Sequence, residues 1–196
     1  MTTLAEVRGR LRRMLEDTDP ASPVWTDGEL HEWLATAARE YGLRCPREVT
    51  ATIAAVAGQT EYALPGEARR VVAVASPAGY PVARRAARVG HEAGAAQSWA
   101  FFGGLLSFGL PPSAPIVVRY RGLYPWPTSD SATVDLPDEG IDIAILGATV
   151  QALSRREIAA GKRRGGAPGV ALALEVARGM YAEAWRRQRV VVSRGS

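Results

Sequence analysis

His31 and Glu32 are the first residues with chemical promise, because a histidine followed by a glutamate opens the H-E-x-x-H zinc helix. That helix needs its second imidazole four residues on, one turn away on the same face, where this chain has Ala35. The other histidine, His91, stands in an Ala-, Gly- and Arg-rich run, and with Cys45 it leaves too few soft ligands for a zinc cluster on one chain. Cys45 precedes Pro46 with no histidine near it in sequence, which fits a half-buried structural thiol better than a nucleophile. Gly161-Lys162 with Gly165-Gly166 has the composition of a phosphate loop but not its order. A P-loop requires glycine where Arg156 stands, Ser or Thr where Arg163 stands, and a strand ahead of it rather than a helix. Asp135, Asp138, Glu139 and Asp142 gather carboxylates at the start of a helical pattern, where free N–H groups favour negative charge. Ser107 and Ser113 lack any histidine context. These residues predict neither a catalytic site nor a bound metal or cofactor.

Charge is more informative. The net charge is +4, but Val150 to Ser196 carries ten Lys/Arg against three Asp/Glu, while Met1 to Thr149 carries fourteen against seventeen. A basic C-terminal quarter on a slightly acidic body predicts that this end meets something negative, either nucleic acid or an acidic protein surface. One cysteine excludes an intrachain disulfide and fits a reducing compartment. No run of about 18 apolar residues is present, so no membrane-spanning helix and no membrane partner is expected. The start of the chain is charged and amphipathic, without the apolar core of a signal peptide.

The elements around these residues follow from period and capping. Thr3 and Glu6 make a capping box ahead of Leu4, Val7, Leu11, Met14 and Leu15, with Arg8, Arg10, Arg12 and Arg13 mostly off that face. Thr26 and Glu29 repeat the signature, with Trp25 and Leu30 placed as a hydrophobic staple. Leu30, Trp33, Leu34, Ala37, Ala38 and Tyr41 form the buried stripe of the second helix, its alanines allow close approach, and Gly42 is the expected C-cap. From Val49 the period becomes 2, with Val49, Ala51 and Ile53 on one face. Gly58-Gln59 turns the chain, Tyr62 and Leu64 anchor the corner, and Pro65 stops the strand before "RRVVAVAS" resumes it. "QSWAFFGGLLSFG" predicts a hairpin turning at Gly103-Gly104, and Ile116, Val118 and Tyr120 line one face of a further strand. The run from Arg84 to Ala96 carries no assignable pattern.

The helical period returns after residue 134. Ile141, Ile145, Ala148 and Ala152 fall on one side, and Ile143, Leu146, Val150 and Leu153 on another. A helix apolar over so wide an arc is central or is covered by a neighbouring subunit, which makes Ile143, Leu146 and Val150 candidates for a subunit interface. Pro168 suits the first position of a last helix, striped by Val170, Leu174, Ala177, Tyr181 and Ala184 with Trp185 alongside. The fold class is therefore α+β: a helical bundle body, residues 1–48 and 135–196, interrupted by a small antiparallel β-sheet or barrel insertion over residues 49–134.

In this order, "WTDGELHEWLATAAREY", "VAGQTEYALPGEARRVVAV" and "VDLPDEGIDIAILGATVQALSRR" resemble the head-to-tail adaptor (connector) proteins of tailed bacteriophages, over roughly Val24 to Arg156. Each motif has a structural cause of its own; the order and spacing carry the likeness. The Arg84–Ala96 run and the basic break at Lys162–Arg164 depart from the family pattern. The resemblance implies a structural, non-catalytic ring, commonly of twelve copies, beneath the portal protein at the DNA-exit vertex. There it extends the DNA channel and offers a platform to the next tail or neck component. It implies a virion location at the head–tail junction for a protein made in the host cytoplasm. It also implies that the C-terminal region docks on the portal, which points to Tyr181, Trp185, Arg186, Arg187, Arg189, Val190 and Val191. The alternative from charge alone is a basic nucleic-acid-binding module with Arg155, Arg156, Lys162, Arg163 and Arg164 on phosphates, which salt would weaken steeply. In a channel the same residues would touch passing DNA only transiently.

Overall fold

The computed structural model describes residues 1–75, 83–84, 98–162 and 168–194, and divides the chain into a helical unit (residues 1–44 and 124–196) and a β unit (residues 45–123). Of the run from Arg84 to Ala96 that carried no assignable pattern, Arg84 ends a two-residue strand and the rest, including His91, lies outside the described residues.

The helical unit is built from α1 (Leu4–Met14), α2 (Asp27–Arg44), α3 (Asp138–Lys162) and α4 (Pro168–Arg194). Both capping boxes are present. Thr3 N donates to Glu6 Oε2 at 2.8 Å and Glu6 N to Thr3 Oγ1 at 3.3 Å; Thr26 N donates to Glu29 Oε2 at 3.0 Å and Glu29 N to Thr26 Oγ1 at 3.2 Å. The first turn of α1 is satisfied further by the segment leading to α3, since Leu4 N reaches Ala132 O and Ala5 N reaches Asp130 O. At its other end α1 closes with Glu16 N on Arg13 O and Asp17 N on Arg12 O, and Glu16 takes φ +55°. This is a Schellman closure in which a glutamate occupies the left-handed position that glycine usually fills.

The turn delivers Asp17 into the interior. Its carboxylate accepts from Val24 N at 2.7 Å and Trp25 N at 3.3 Å and pairs with Arg12, whose guanidinium also reaches Trp25 O at 2.9 Å and Asp27 at 2.7 Å. Arg8 adds a bidentate pair with Asp130 and a contact to Asp27. Two arginines that looked merely solvent-facing thus tie α1 to the start of α2 and to the approach to α3. Trp25 is buried edge-on against Trp33, with centroids 5.1 Å apart. α2 does not stop at Gly42, which is buried inside the helix; it runs on to Arg44. Pro46 sets the end instead, because it disfavours helical backbone at Cys45.

α3 lies against α1, α2 and α4. Its contact with α2 is close: a Cβ at Gly147 would sit 3.0 Å from Ala37 Cβ, and one at Gly140 would sit 2.9 Å from the Tyr41 ring. The small residues at Ala37 and Ala38 serve that approach.

The β unit holds two small sheets that share one apolar core. The first has the order β1 (Arg47–Ile53), β7 (Ile116–Gly122), β3 (Ala68–Ala75), all antiparallel, with Arg47 opposite Gly122 and Ile53 opposite Ile116. The second has the order β2 (Glu61–Ala63), β6 (Leu105–Phe108), β5 (Ser98–Phe102), β4 (Ala83–Arg84), the last pair parallel. Among the described residues the sheets form no closed barrel, so the sheet form of the expectation holds. Val71, Val74, Trp99, Leu106, Ile116, Val118 and Tyr120 fill the core.

The corner at residues 56–65 does what its residue types require. Gly58 takes φ +77°, Gln59 N returns to Val56 O, and the Tyr62 hydroxyl accepts from Val56 N and donates to Gln59 O. Tyr62 and Leu64 are buried.

Candidate interaction surface

α4 has two apolar faces, and they have different fates. The inner face carries Leu174, Ala177 and Trp185, all buried, with Val170, Tyr181 and Ala184 half-buried. Trp185 is 7% exposed. Its ring stacks on Tyr41 at 5.9 Å, meets Tyr181 edge-on at 6.2 Å, and is covered by the Arg44 guanidinium 4.5 Å from its centroid. Glu40 closes the cluster: it pairs with Arg44 and accepts from the Tyr181 hydroxyl at 2.9 Å. Burial pushes the Tyr181 phenol up, and the acceptor at Glu40 pushes it the same way. Two of the residues expected at a docking surface, Tyr181 and Trp185, therefore pack α4 onto α2 within this chain.

The outer face carries Leu172, Val176 and Met180, each about half exposed or more. Their spacing of four residues lines them along one side of three successive turns. Glu175, Arg178 and Glu183 flank this apolar ridge along the same helix. The signal was present in the sequence as a second stripe, but the stronger stripe through Trp185 masked it.

Met180 also borders a groove of about 390 Å³ between α3 and α4, floored by Ile143, Leu146 and Ala184 and edged by Glu139, Asp142 and Arg187. A second hollow of about 510 Å³ shares Asp142, Leu146 and Met180 with it and continues to Arg10, Arg13 and Met14 on α1. The rim charges are largely paired with one another: Asp142 with Arg10, and Glu183 with Arg186 and Arg187.

Ile143 and Leu146 are only 2% and 9% exposed, and Val150 is half-buried. The wide apolar arc of α3 is thus covered mainly by the chain's own helices, because α3 is the central element of the helical unit. That corrects the reason for assigning these residues to a subunit contact; what they leave outside is the floor of the groove.

The candidate DNA-facing residues are not all alike. Arg155 pairs with Glu29 at 3.6 Å and lies over the Trp33 ring, and Arg178 pairs with Glu175 at 2.9 Å. Arg156 is exposed on α3. Lys162 ends that helix, and Arg163 and Arg164 lie outside the described residues. Arg189, Val190 and Val191 belong to the last turns of α4, and their side chains also lie outside the described residues. Among the described residues no cluster of His, Cys, Asp or Glu could hold a metal ion, and no helix is long and apolar enough to cross a membrane.

The chain matches the SU10 adaptor protein family over residues 2–195, and it belongs to that family of structural head–tail adaptors. Among solved structures it is similar to a chain in the neck of an empty GTA particle computed with C6 symmetry, at 15% identity and a TM-score of 0.30, covering 76% of this chain and 80% of that one. No curated protein matches it.

Proposed function

We propose that the protein is a non-enzymatic ring component of the head–tail junction of a phage-like virion. Copies, twelve in the ring as the family resemblance implies, seat beneath the portal protein, extend the DNA channel and present a surface to the next tail or neck protein. Family membership over nearly the whole chain carries this reading. The outer ridge of α4 supports it, since Leu172, Val176 and Met180 form an apolar stripe that the chain leaves uncovered. The portal contact takes in Leu172 and Val176 on this ridge, together with Arg186, Arg187, Arg189, Val190 and Val191, an apolar and basic set of residues suited to a partner groove with an acidic rim. The DNA-facing role of Arg156, Lys162, Arg163 and Arg164 is transient, because a channel must let DNA slide.

Sedimentation velocity and electron microscopy of the protein mixed with purified portal test the proposal. A larger ring containing both proteins is expected; absence of co-migration across a range of salt concentrations refutes it. Tight duplex binding without portal, falling steeply with salt, would favour a nucleic-acid module instead.

A further inference from the structure

The hairpin of β5 and β6 ends in an aromatic prong that the chain does not cover. Gly103 and Gly104 take φ +57° and +84°, the two left-handed positions of a tight two-residue turn. Phe102 and Leu105 face each other across it, so their side chains stand on the same face of the sheet. That is the outer face: the next pair, Phe101 and Leu106, points to the core, where Leu106 is fully buried. Phe102 is 89% exposed and Leu105 is exposed beside it. Among the described residues no atom lies within 4 Å of where a Cβ would stand on either glycine. From Ser98 to Phe108 there is no charged residue.

We infer that the Phe102–Leu105 tip of one copy inserts into the α3–α4 groove of a second copy. The groove offers what the tip lacks: an apolar floor of Ile143, Leu146, Met180 and Ala184 in a hollow of about 390 Å³, roomy enough for a phenyl ring and a leucine side chain. Charge is compatible as well. The tip is neutral, the rim carboxylates Asp142 and Glu183 already have arginine partners, and Glu139 at the edge is exposed and keeps its water, so insertion need bury no unpaired charge. Met180 lines the groove with a flexible side chain that can adjust to a ring. A knob and a hole on different parts of the same chain make a head-to-tail contact, which closes into a ring when its rotation permits and otherwise propagates. The contact rests on the ring reading and deepens it by naming the surfaces through which copies meet.

The test replaces Phe102 with the photo-crosslinker p-benzoylphenylalanine in the full chain, mixes isotope-labelled with unlabelled copies, and irradiates with and without purified portal. Cross-links between copies from position 102 to residues 139–146 or 180–188 are expected, and Met180→Asp should abolish them. Phe102→Ser should weaken self-association at least tenfold, the effect of losing one buried aromatic, while leaving the monomer's urea midpoint unchanged. If rings form but position 102 links only within its own chain, to another surface, or not at all, the contact is wrong and the ring reading stands. If the chain stays monomeric with and without portal, both fall.

Discussion

Asp17 is the most exacting point at which to test the helical unit. Its carboxylate is buried, 3% exposed, yet it has three partners: two backbone N–H groups at the entry to α2 and the Arg12 guanidinium. Removing one member of a buried pair costs about 3–5 kcal/mol, because the other charge is left desolvated. Here Arg12 keeps Asp27 and the Trp25 carbonyl, which argues for the lower end, and the two orphaned N–H groups prevent a smaller value. Asp17→Ala should therefore cost about 3 kcal/mol, a fall of roughly 6–12 °C in Tm for a chain of this size. Asp17→Asn keeps an acceptor for only one of the two N–H groups, which bond different carboxylate oxygens, and loses the ion pair with Arg12, so it should recover only part of the loss. Urea unfolding followed by tryptophan fluorescence reads the loss directly, because Trp25 adjoins the site. A double-mutant cycle with Arg12→Met should return a coupling above about 1 kcal/mol. A loss below about 1 kcal/mol for Asp17→Ala, or zero coupling, would refute the clamp.

Three further outcomes follow from the structure. Glu16→Gly should stabilise the protein by about 0.5–1 kcal/mol, since the residue sits at φ +55° in open left-handed backbone; a lower urea midpoint would contradict it. Glu6, Glu29 and Asp130 are held below their ordinary pKa, the first two by Thr3 and Thr26 at the helix caps and the third by Arg8. Their folded values are depressed, so the unfolded chain takes up protons first: stability is held above about pH 5 and is lost as pH falls through the lowered values. Urea midpoints taken from pH 7 to pH 3.5 should fall, and the slope should flatten in a Glu6→Gln, Glu29→Gln, Asp130→Asn variant. Finally, the two faces of α4 should separate by assay. Leu174→Ala should cost about 2–5 kcal/mol in stability, whereas Val176→Ser should leave the urea midpoint within about 0.5 kcal/mol and reduce portal binding.

Capping and periodicity explain why so much of the scaffold was legible. Both capping boxes, the Gly103-Gly104 turn, the alternation through Ile116, Val118 and Tyr120, and the start of α4 at Pro168 are local signals, decided within a few residues. Gly42 misled because a glycine can end a helix, but Pro46 ends this one more strongly. What depended on the partners of a side chain was not legible. Nothing in the spacing of Arg8 and Arg12 announces that Asp130 and Asp17 await them, and an aromatic at position 185 looks alike whether it meets a second protein or Tyr41 and Arg44. The same limit applies to Ile143 and Leu146, whose cover comes from elements distant in sequence.

The pairing of Arg47 with Gly122 has a further consequence. The β unit leaves the helical unit and returns to it through its first and last strands, which are hydrogen-bonded neighbours about 5 Å apart. Seen from the helices, the excursion from residue 45 to residue 123 is therefore a short connection between α2 and the approach to α3, whatever lies beyond the paired ends. Zipping those ends recovers roughly 2–3 kcal/mol of the closure entropy that an unpaired loop of the same length would cost. Changes beyond that strand pair leave the spacing between the end of α2 and the approach to α3 set by the pairing of Arg47 with Gly122.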